Sequence, residues 1–241
     1  MMFLFLFLLT GLAHGQEVII EYRDKPPYMY TESGRPTGFL IDKTSKIFDK
    51  ADISYIYLEL PAKRILYDIK ENKSPICATG WYKSPERELF ANFTLPIHHD
   101  RPHMILVGAT GKEKIREVDS LKEILANKSL SMIKIDGVSY GTELDTMLRN
   151  NAVNIVSTTT TPLGLAKMIR YGRADYMVID QDDYEYLNAN SDLDAEGVTP
   201  LRFHDMPPGE LRYIMCSKAT EWETIQKLNR AIQQLKVVQK K

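Results

Sequence analysis

Three short stretches of the chain hold residues that can grip a small charged molecule. The first is Lys83-Ser84-Pro85-Glu86-Arg87. A guanidinium presents paired N–H donors that match a carboxylate, so Arg87 can hold an anion bidentately. Taken alone, it can equally pair with Glu86 or Glu88. The second is Gly137-Val138-Ser139-Tyr140-Gly141, ahead of a helical stretch. Unpaired backbone N–H groups and the helix dipole favour an anion beside Ser139 and Tyr140, although Ser139 can also act simply as the cap. The third is Tyr176-Met177-Val178-Ile179-Asp180, an apolar strand ending on an acid. Ligands bind where strands end at the mouth of an α/β sheet, so Asp180 can meet a cation there. Asp182 and Asp183 follow as further acids. Tyr22, Tyr28, Trp81 and Tyr82 offer aromatic faces to an apolar or cationic group.

Catalytic motifs are missing from this set. The chain carries no nucleophile elbow, no P-loop and no HExxH helix. His98, His99 and His103 lie close together, but Pro102 breaks the helix that would bring His99 and His103 onto one face. No metal and no cofactor are expected.

These residues need a folded frame, and the composition supplies one. The 241 residues carry 31 Lys plus Arg against 32 Asp plus Glu, a net charge of −1 with His neutral, and 44% are hydrophobic. That balance excludes a disordered or fibrous chain and argues against a nucleic-acid partner, which would draw a basic excess. The first fifteen residues differ. A short apolar run follows Met1-Met2, with Ala13 and Gly15 spaced as a signal-peptidase site requires. The run is too short to cross a hydrocarbon core about 30 Å thick. Residues 1–15 therefore read as a cleaved signal peptide, although no Lys or Arg precedes the run. The mature chain is expected to be soluble and periplasmic. No Cys stands near the cleavage site to carry a lipid.

Two rounds of strand and helix follow. Strands are expected at 17–22, 53–60 and 75–79, with helices at 41–51 and 62–71. Residues 31–36 read as a polar loop. The pattern restarts with strands at 103–108, 130–135, 153–157 and 174–179. Helices are expected at 120–126, where Ser120 and Glu123 have capping-box spacing, at 141–150, and at 162–171 before Gly172. A strand at 211–217 and a helix from 221 end the chain. In that helix Trp222, Ile225, Leu228, Ile232 and Leu235 share one face. Two α/β units with a cleft between them suit a small ligand.

Read together, these motifs resemble the bacterial extracellular solute-binding proteins of family 3. Pro26-Pro27-Tyr28-Met29-Tyr30 and Gly34 to Asp42 look like the family's opening strand, turn and helix entry. Lys83 to Arg87 with Phe93-Thr94-Leu95-Pro96-Ile97, Ser120 to Glu123 with Gly137 to Gly141, and Gly172 to Asp180 look like its later segments. The resemblance implies the two-lobed type II periplasmic-binding fold, α/β, each lobe a mainly parallel sheet flanked by helices. Lobe 1 would hold 16–98 and 209–241, and lobe 2 would hold 99–208. Hinge crossings are expected near 98–102 and 206–212, where Pro207-Pro208-Gly209 suits a chain reversal.

The resemblance also implies roles. Arg87 would hold a ligand carboxylate, backbone amides at Ser139 and Tyr140 would support it, and Asp180 would meet an ammonium. Tyr22, Tyr28, Trp81 and Tyr82 would shape the side-chain pocket, and Arg64 would add a second cation beside the cleft. Two departures leave the ligand open. Gly80-Trp81-Tyr82-Lys83 stands where amino-acid receptors tend to carry small hydroxyl residues, and Lys25 stands where an aromatic lid is common. Cys77 and Cys216 would lie on neighbouring strands, as a cross-strand disulfide or as two buried thiols. The implied function is capture of a small polar ligand, an amino acid or related carboxylate, by a monomer without enzymatic activity. It would serve an ABC-type importer, with a membrane permease as partner. The alternatives are a cyclohexadienyl dehydratase-like enzyme, using Glu59, Asp180 or His99, and a receptor docking on a signalling sensor.

Overall fold

The computed structural model of the chain describes residues 17–151, 153–191 and 197–237. The leader at 1–15 lies outside them. The elements, in chain order, are β1 (Val18–Tyr22), β2 (Tyr30–Glu32), β3 (Arg35–Thr37), α1 (Phe39–Lys50), β4 (Tyr55–Glu59), α2 (Ala62–Glu71), β5 (Ile76–Tyr82), α3 (Pro85–Glu88), β6 (Ala91–Phe93) and β7 (His98–His99). Next come β8 (Met104–Val107), α4 (Ala109–Lys114), α5 (Leu121–Ala126), β9 (Ser131–Ile135), α6 (Thr142–Asn150), β10 (Asn154–Thr158), α7 (Pro162–Arg170), β11 (Tyr176–Ile179), α8 (Gln181–Ser191) and β12 (Thr199–Leu201). The final pair is β13 (Leu211–Ser217) and α9 (Trp222–Leu235).

Two mixed sheets result. The first runs β4-β1-β5-β13-β6, with β7 also pairing with β13. The second runs β10-β9-β11-β8-β12. The expectation of mainly parallel sheets holds by strand direction, with β13 in the first sheet and β8 in the second running against the others. β4, β1 and β5 run parallel, as do β10, β9 and β11. β13 runs antiparallel to β5, β6 and β7, and β8 runs antiparallel to β11 and β12. The parallel pairings come from strand–helix–strand crossovers. The antiparallel pairings all involve β8 and β13, which enter from the opposite end, each just after the chain passes between the sheets.

Apolar spacing decides which face each helix buries. In α1, Leu40, Ile41, Thr44, Ile47 and Phe48 are buried at intervals of three and four. They pack with Ile225, Leu228 and Ile232 of α9 over one face of the first sheet. On its other face, α2 buries Ile65 and Ile69 against Trp81 and Met215. Each such side chain taken out of water is worth roughly 1.5–3 kcal/mol. The central strand β5 is buried along all seven residues. Leu165, Ala166 and Ile169 of α7 do the same for the second sheet.

The structure adjusts several sequence readings. Trp222 and Leu235 are exposed at the two ends of α9, because helix ends project past the sheet they cover. Ser120 caps α5 by accepting from the Glu123 N–H at 3.3 Å, but the Glu123 carboxylate reaches back to the Asp119 N–H rather than its own cap. Residues 31–36 form the β2–β3 hairpin rather than an open loop. Ser33 and Gly34 take φ of 50° and 75°, the two positive values that a tight two-residue hairpin turn needs.

The chain crosses between the sheets twice, and the two crossings lie side by side. Leu211 and Arg212 pair with His99 and His98, and the Asp100 N–H donates to Glu210 O at 2.9 Å. Gly209 permits the approach, since a Cβ there would stand 1.9 Å from Asp100 O. Within the first sheet, Cys77 and Cys216 are register partners on β5 and β13, and their sulfur atoms are joined at 2.07 Å.

Two stability predictions follow from these positions. The Cys77–Cys216 bond spans 139 residues. In the chain-entropy account a loop of that length is worth about 4–5 kcal/mol. Urea unfolding with and without dithiothreitol is expected to show a loss of that order, and a loss under about 1 kcal/mol contradicts it. The second concerns Glu21 on β1, 2% exposed and facing the α2 side near Asp68 and Arg64. Burial, and then Asp68, push its carboxyl up to about 7. The unfolded carboxyl loses its proton first as pH rises, so Glu21 makes the protein less stable between pH 4.5 and 7 as pH increases. Glu21→Gln is expected to remove roughly 2–3 kcal/mol of the stability difference between pH 5 and pH 8. An unchanged difference by urea titration at the two pH values contradicts the assignment.

Candidate functional site

The parallel strands of both sheets point their carboxyl ends at one gap. β1 leads into Arg23, Asp24 and Lys25, and β5 ends on Tyr82. From the other sheet, β9 ends at Ile135 and leads to Val138–Tyr140, while β11 ends at Ile179 and delivers Asp180. The crossing adds His103 before β8 and Arg212 at the start of β13. Apart from Asp24, these residues line one narrow cleft. Strand ends of opposed α/β sheets are a recurrent place for ligands, because the backbone stops there and side chains converge.

A buried charge network fills one side of the cleft. The Lys25 Nζ donates to Asp180 Oδ2 at 2.5 Å and also to Asp183 Oδ2. Lys25 is 2% exposed. Its backbone N–H and C=O both pair with Met29, and its ammonium lies 4.1 Å from the Tyr28 ring centroid. Arg212 is equally buried. Its Nε donates to Asp100 Oδ1 at 2.8 Å, one terminal nitrogen to Gly80 O at 2.8 Å, and the other to Asp180 Oδ2 at 3.2 Å. Tyr82 donates to Asp100, and His103 Nε2 lies 3.2 Å from Asp180 Oδ1.

The electrostatics follow from this packing. Burial alone would raise the Asp180 carboxyl, but Lys25, Arg212 and His103 outweigh it and hold the group well below the usual carboxylate range. Asp183 behaves oppositely. Burial dominates and pushes it up to about 7, against the pull of Lys25. Burial likewise opposes the charge on Arg212, but Asp100 and Asp180 stabilise it more strongly.

The other side of the cleft is cationic and open. Arg23 is partly buried and lines the cleft. It makes no hydrogen bond or ion pair with any described residue. Burial, and then the neighbouring Arg212 charge, hold its pKa below the ordinary guanidinium value. Arg87 sits beside it in a connected chamber that also holds Trp81, Tyr82 and Ser139. The Arg87 guanidinium donates to Tyr82 O at 2.8 Å and stacks 5.0 Å from the Trp81 ring. Burial pushes its pKa down to about 10.

The structure brings together Arg87, Asp180, Ser139, Tyr140, Trp81 and Tyr82 around this cleft. Tyr28 lies under the network, fully buried, and its hydroxyl donates to Asp182 Oδ2 at 2.9 Å. Two residues fall elsewhere. Tyr22 bonds to Thr31 and packs edge-on against Tyr57 within the first sheet's layer. Arg64 points outward on α2, 60% exposed, and pairs with Asp68 one turn on at 2.7 Å.

The amides ahead of α6 are also engaged. Asp145 accepts from the Tyr140 N–H at 3.1 Å and from the Ser139 hydroxyl, while Glu210 accepts from the Thr142 N–H at 2.9 Å. The chain's own carboxylates thus take donors that were expected to face a ligand. The three histidines part company: His98 packs on Tyr28 and Phe39, His99 reaches Gly209 O, and His103 reaches Asp180. Among the described residues no group of three or more His, Cys, Asp or Glu side chains is placed to hold a metal ion.

Sequence reading missed Arg23, Asp100, His103, Asp183 and Arg212 as members of one cluster. The signal was present in part. Arg212 stands near the start of a mostly apolar strand, and Arg23 and Lys25 lie just past β1, but only the returning β13 brings these segments together.

Comparison with known proteins places this geometry. No curated protein sequence matches the chain significantly. Solved structures do share its fold. An ancestral arginine-binding protein bound to glutamine is similar at 19% identity over 92% of this chain and 93% of that one, with a TM-score of 0.71. The arginine-, lysine-, histidine-binding protein ArtJ of Geobacillus stearothermophilus is similar at 15% identity over 91% and 89%, with a TM-score of 0.73. The GluR0 ligand-binding core of Nostoc punctiforme, in complex with L-glutamate, is similar at 20% identity over 90% and 92%, with a TM-score of 0.68. At these identities the likeness is one of fold, the two-lobed type II periplasmic-binding architecture. The model of the bacterial extracellular solute-binding proteins, family 3, matches residues 18–239, and the chain belongs to that family.

Proposed function

We propose that this protein captures a small carboxylate-bearing solute in the cleft between its lobes and presents it to an ABC-type importer in the membrane. The observation that carries the reading is Arg23. A partly buried guanidinium without a hydrogen-bonding or ion-pairing partner among the described residues is costly to keep. A ligand carboxylate would remove that cost, and Arg87 beside it would provide a second set of donors. Family membership supports an extracellular solute-binding role. The leader read in residues 1–15 supports export to the periplasm.

In this reading lobe 1 comprises 16–98 with 209–241, and lobe 2 comprises 99–208. The lobes open and close about the crossings at 98–102 and 206–212. The mature chain acts as a monomer, with a permease as its partner.

We read the cleft as binding rather than catalytic. A dehydratase needs one positioned acid that can deliver a proton. Asp180 is held ionised by Lys25 and Arg212, with His103 at hydrogen-bond distance from its other oxygen. Glu59 accepts from Thr31 at an exposed position, and His99 is exposed and bonded to Gly209 O.

Thermal-shift screening of mono- and dicarboxylates against the mature protein tests the reading, followed by calorimetry on Arg23→Met. The variant is expected to bind the best acid at least thirtyfold more weakly. Its ligand-free melting temperature should be unchanged or raised, because an unpaired cation has been removed. Arg64→Ala is expected to bind as the parent does. Parent-like affinity in Arg23→Met, or no carboxylate that stabilises the protein, overturns the reading.

A further inference from the structure

The acids of the cleft are the groups that would receive a ligand ammonium, and they are already taken. Asp180 holds Lys25 and Arg212 on one oxygen, and His103 and Tyr82 approach the other. Asp100 holds Arg212 and Tyr82. Asp183 holds Lys25 on Oδ2. Among these carboxylates only Asp183 Oδ1 is buried without a partner. A cation placed there would share one carboxylate with Lys25 and lie within a few ångströms of its charge. In a cleft shielded from water that repulsion is large. A hydroxyl donor, being neutral, meets no such penalty.

Lys25 is not a loose side chain that a ligand could brush aside. Its backbone is tied to Met29 by two hydrogen bonds of 2.7 and 3.0 Å, and its ammonium lies over Tyr28. Displacing it would also strip Asp183 of its cation. On the opposite side, Arg23 and Arg87 remain open to an anion.

We infer that the cleft selects organic acids that carry no amino group, because Lys25 occupies the acceptors that a ligand ammonium would need. The inference rests on the proposed carboxylate-binding function and narrows its substrate class to acids with hydrogen or a hydroxyl where an amino acid has its ammonium.

Matched sets of probes test it on the mature protein by calorimetry at pH 7. L-aspartate, L-malate and succinate share one skeleton; L-alanine, L-lactate and propionate share another. In at least one set the hydroxy or unsubstituted acid is expected to bind at least tenfold more tightly than the amino acid. Lys25→Met, which frees Asp183 and removes one of the cations on Asp180, is expected to reverse that order by strengthening amino-acid binding tenfold or more. An amino acid that binds the unaltered protein as tightly as its partners overturns the inference while leaving the carboxylate reading intact. A folded Lys25→Met protein with the original preference overturns it as well. Failure of all six probes to bind overturns the carboxylate reading and the inference with it. The comparison on the unaltered protein decides the matter even where the variant does not fold.

Discussion

The cleft is organised by one constraint: a cation taken out of water must find acceptors, and here they come from the other sheet. Lys25 follows β1, and its two carboxylates sit at and just beyond the end of β11. Arg212, second in β13, reaches Asp100 in the adjacent crossing as well as Asp180. Coulomb attraction in a poorly hydrated site is strong, but so is the cost of dehydration, and the balance favours the pair only when every member is satisfied. That condition explains why Asp180 stays charged in a site this dry while Asp183, with fewer partners, does not hold its charge as firmly.

The remaining architecture serves this network. Parallel strands deliver their ends to the gap, and helices α1, α2, α7 and α9 cover the sheet faces in apolar layers. Tyr28 and Tyr82 seat the cations on aromatic faces, with Arg212 at 4.7 and 4.4 Å from the two rings. What stays unsatisfied after these pairings is the Arg23 guanidinium and one oxygen of Asp183.

Much of the frame was legible from apolar spacing. The β13 strand at 211–217 and the α2 helix at 62–71 appear as expected, since buried alternation and three-to-four spacing are local properties. Arg87 and Asp180 were legible through their motifs, and both reach the cleft. Arg64 was not, because its placement depends on which face of α2 turns inward, and Ile65 and Ile69 win that face. The Lys25 pairing was invisible for a different reason. Its partners lie 155 and 158 residues away, and no local pattern encodes a contact between two sheets. The same holds for the amides ahead of α6, which are claimed in part by Glu210 from the returning crossing.

The late return of β13 orders events during synthesis. Strands β8 to β12 are contiguous between residues 104 and 201, so every strand of the second sheet has been made before β13 exists. The first sheet has no such independence: β5 stays without its antiparallel neighbour, and Cys77 without Cys216, until residues 211–217 are delivered. In a chain made from its N-terminus, the first sheet to begin is therefore the last to be completed. The cleft, which needs Arg212 from that same strand, comes into being only with the final few dozen residues.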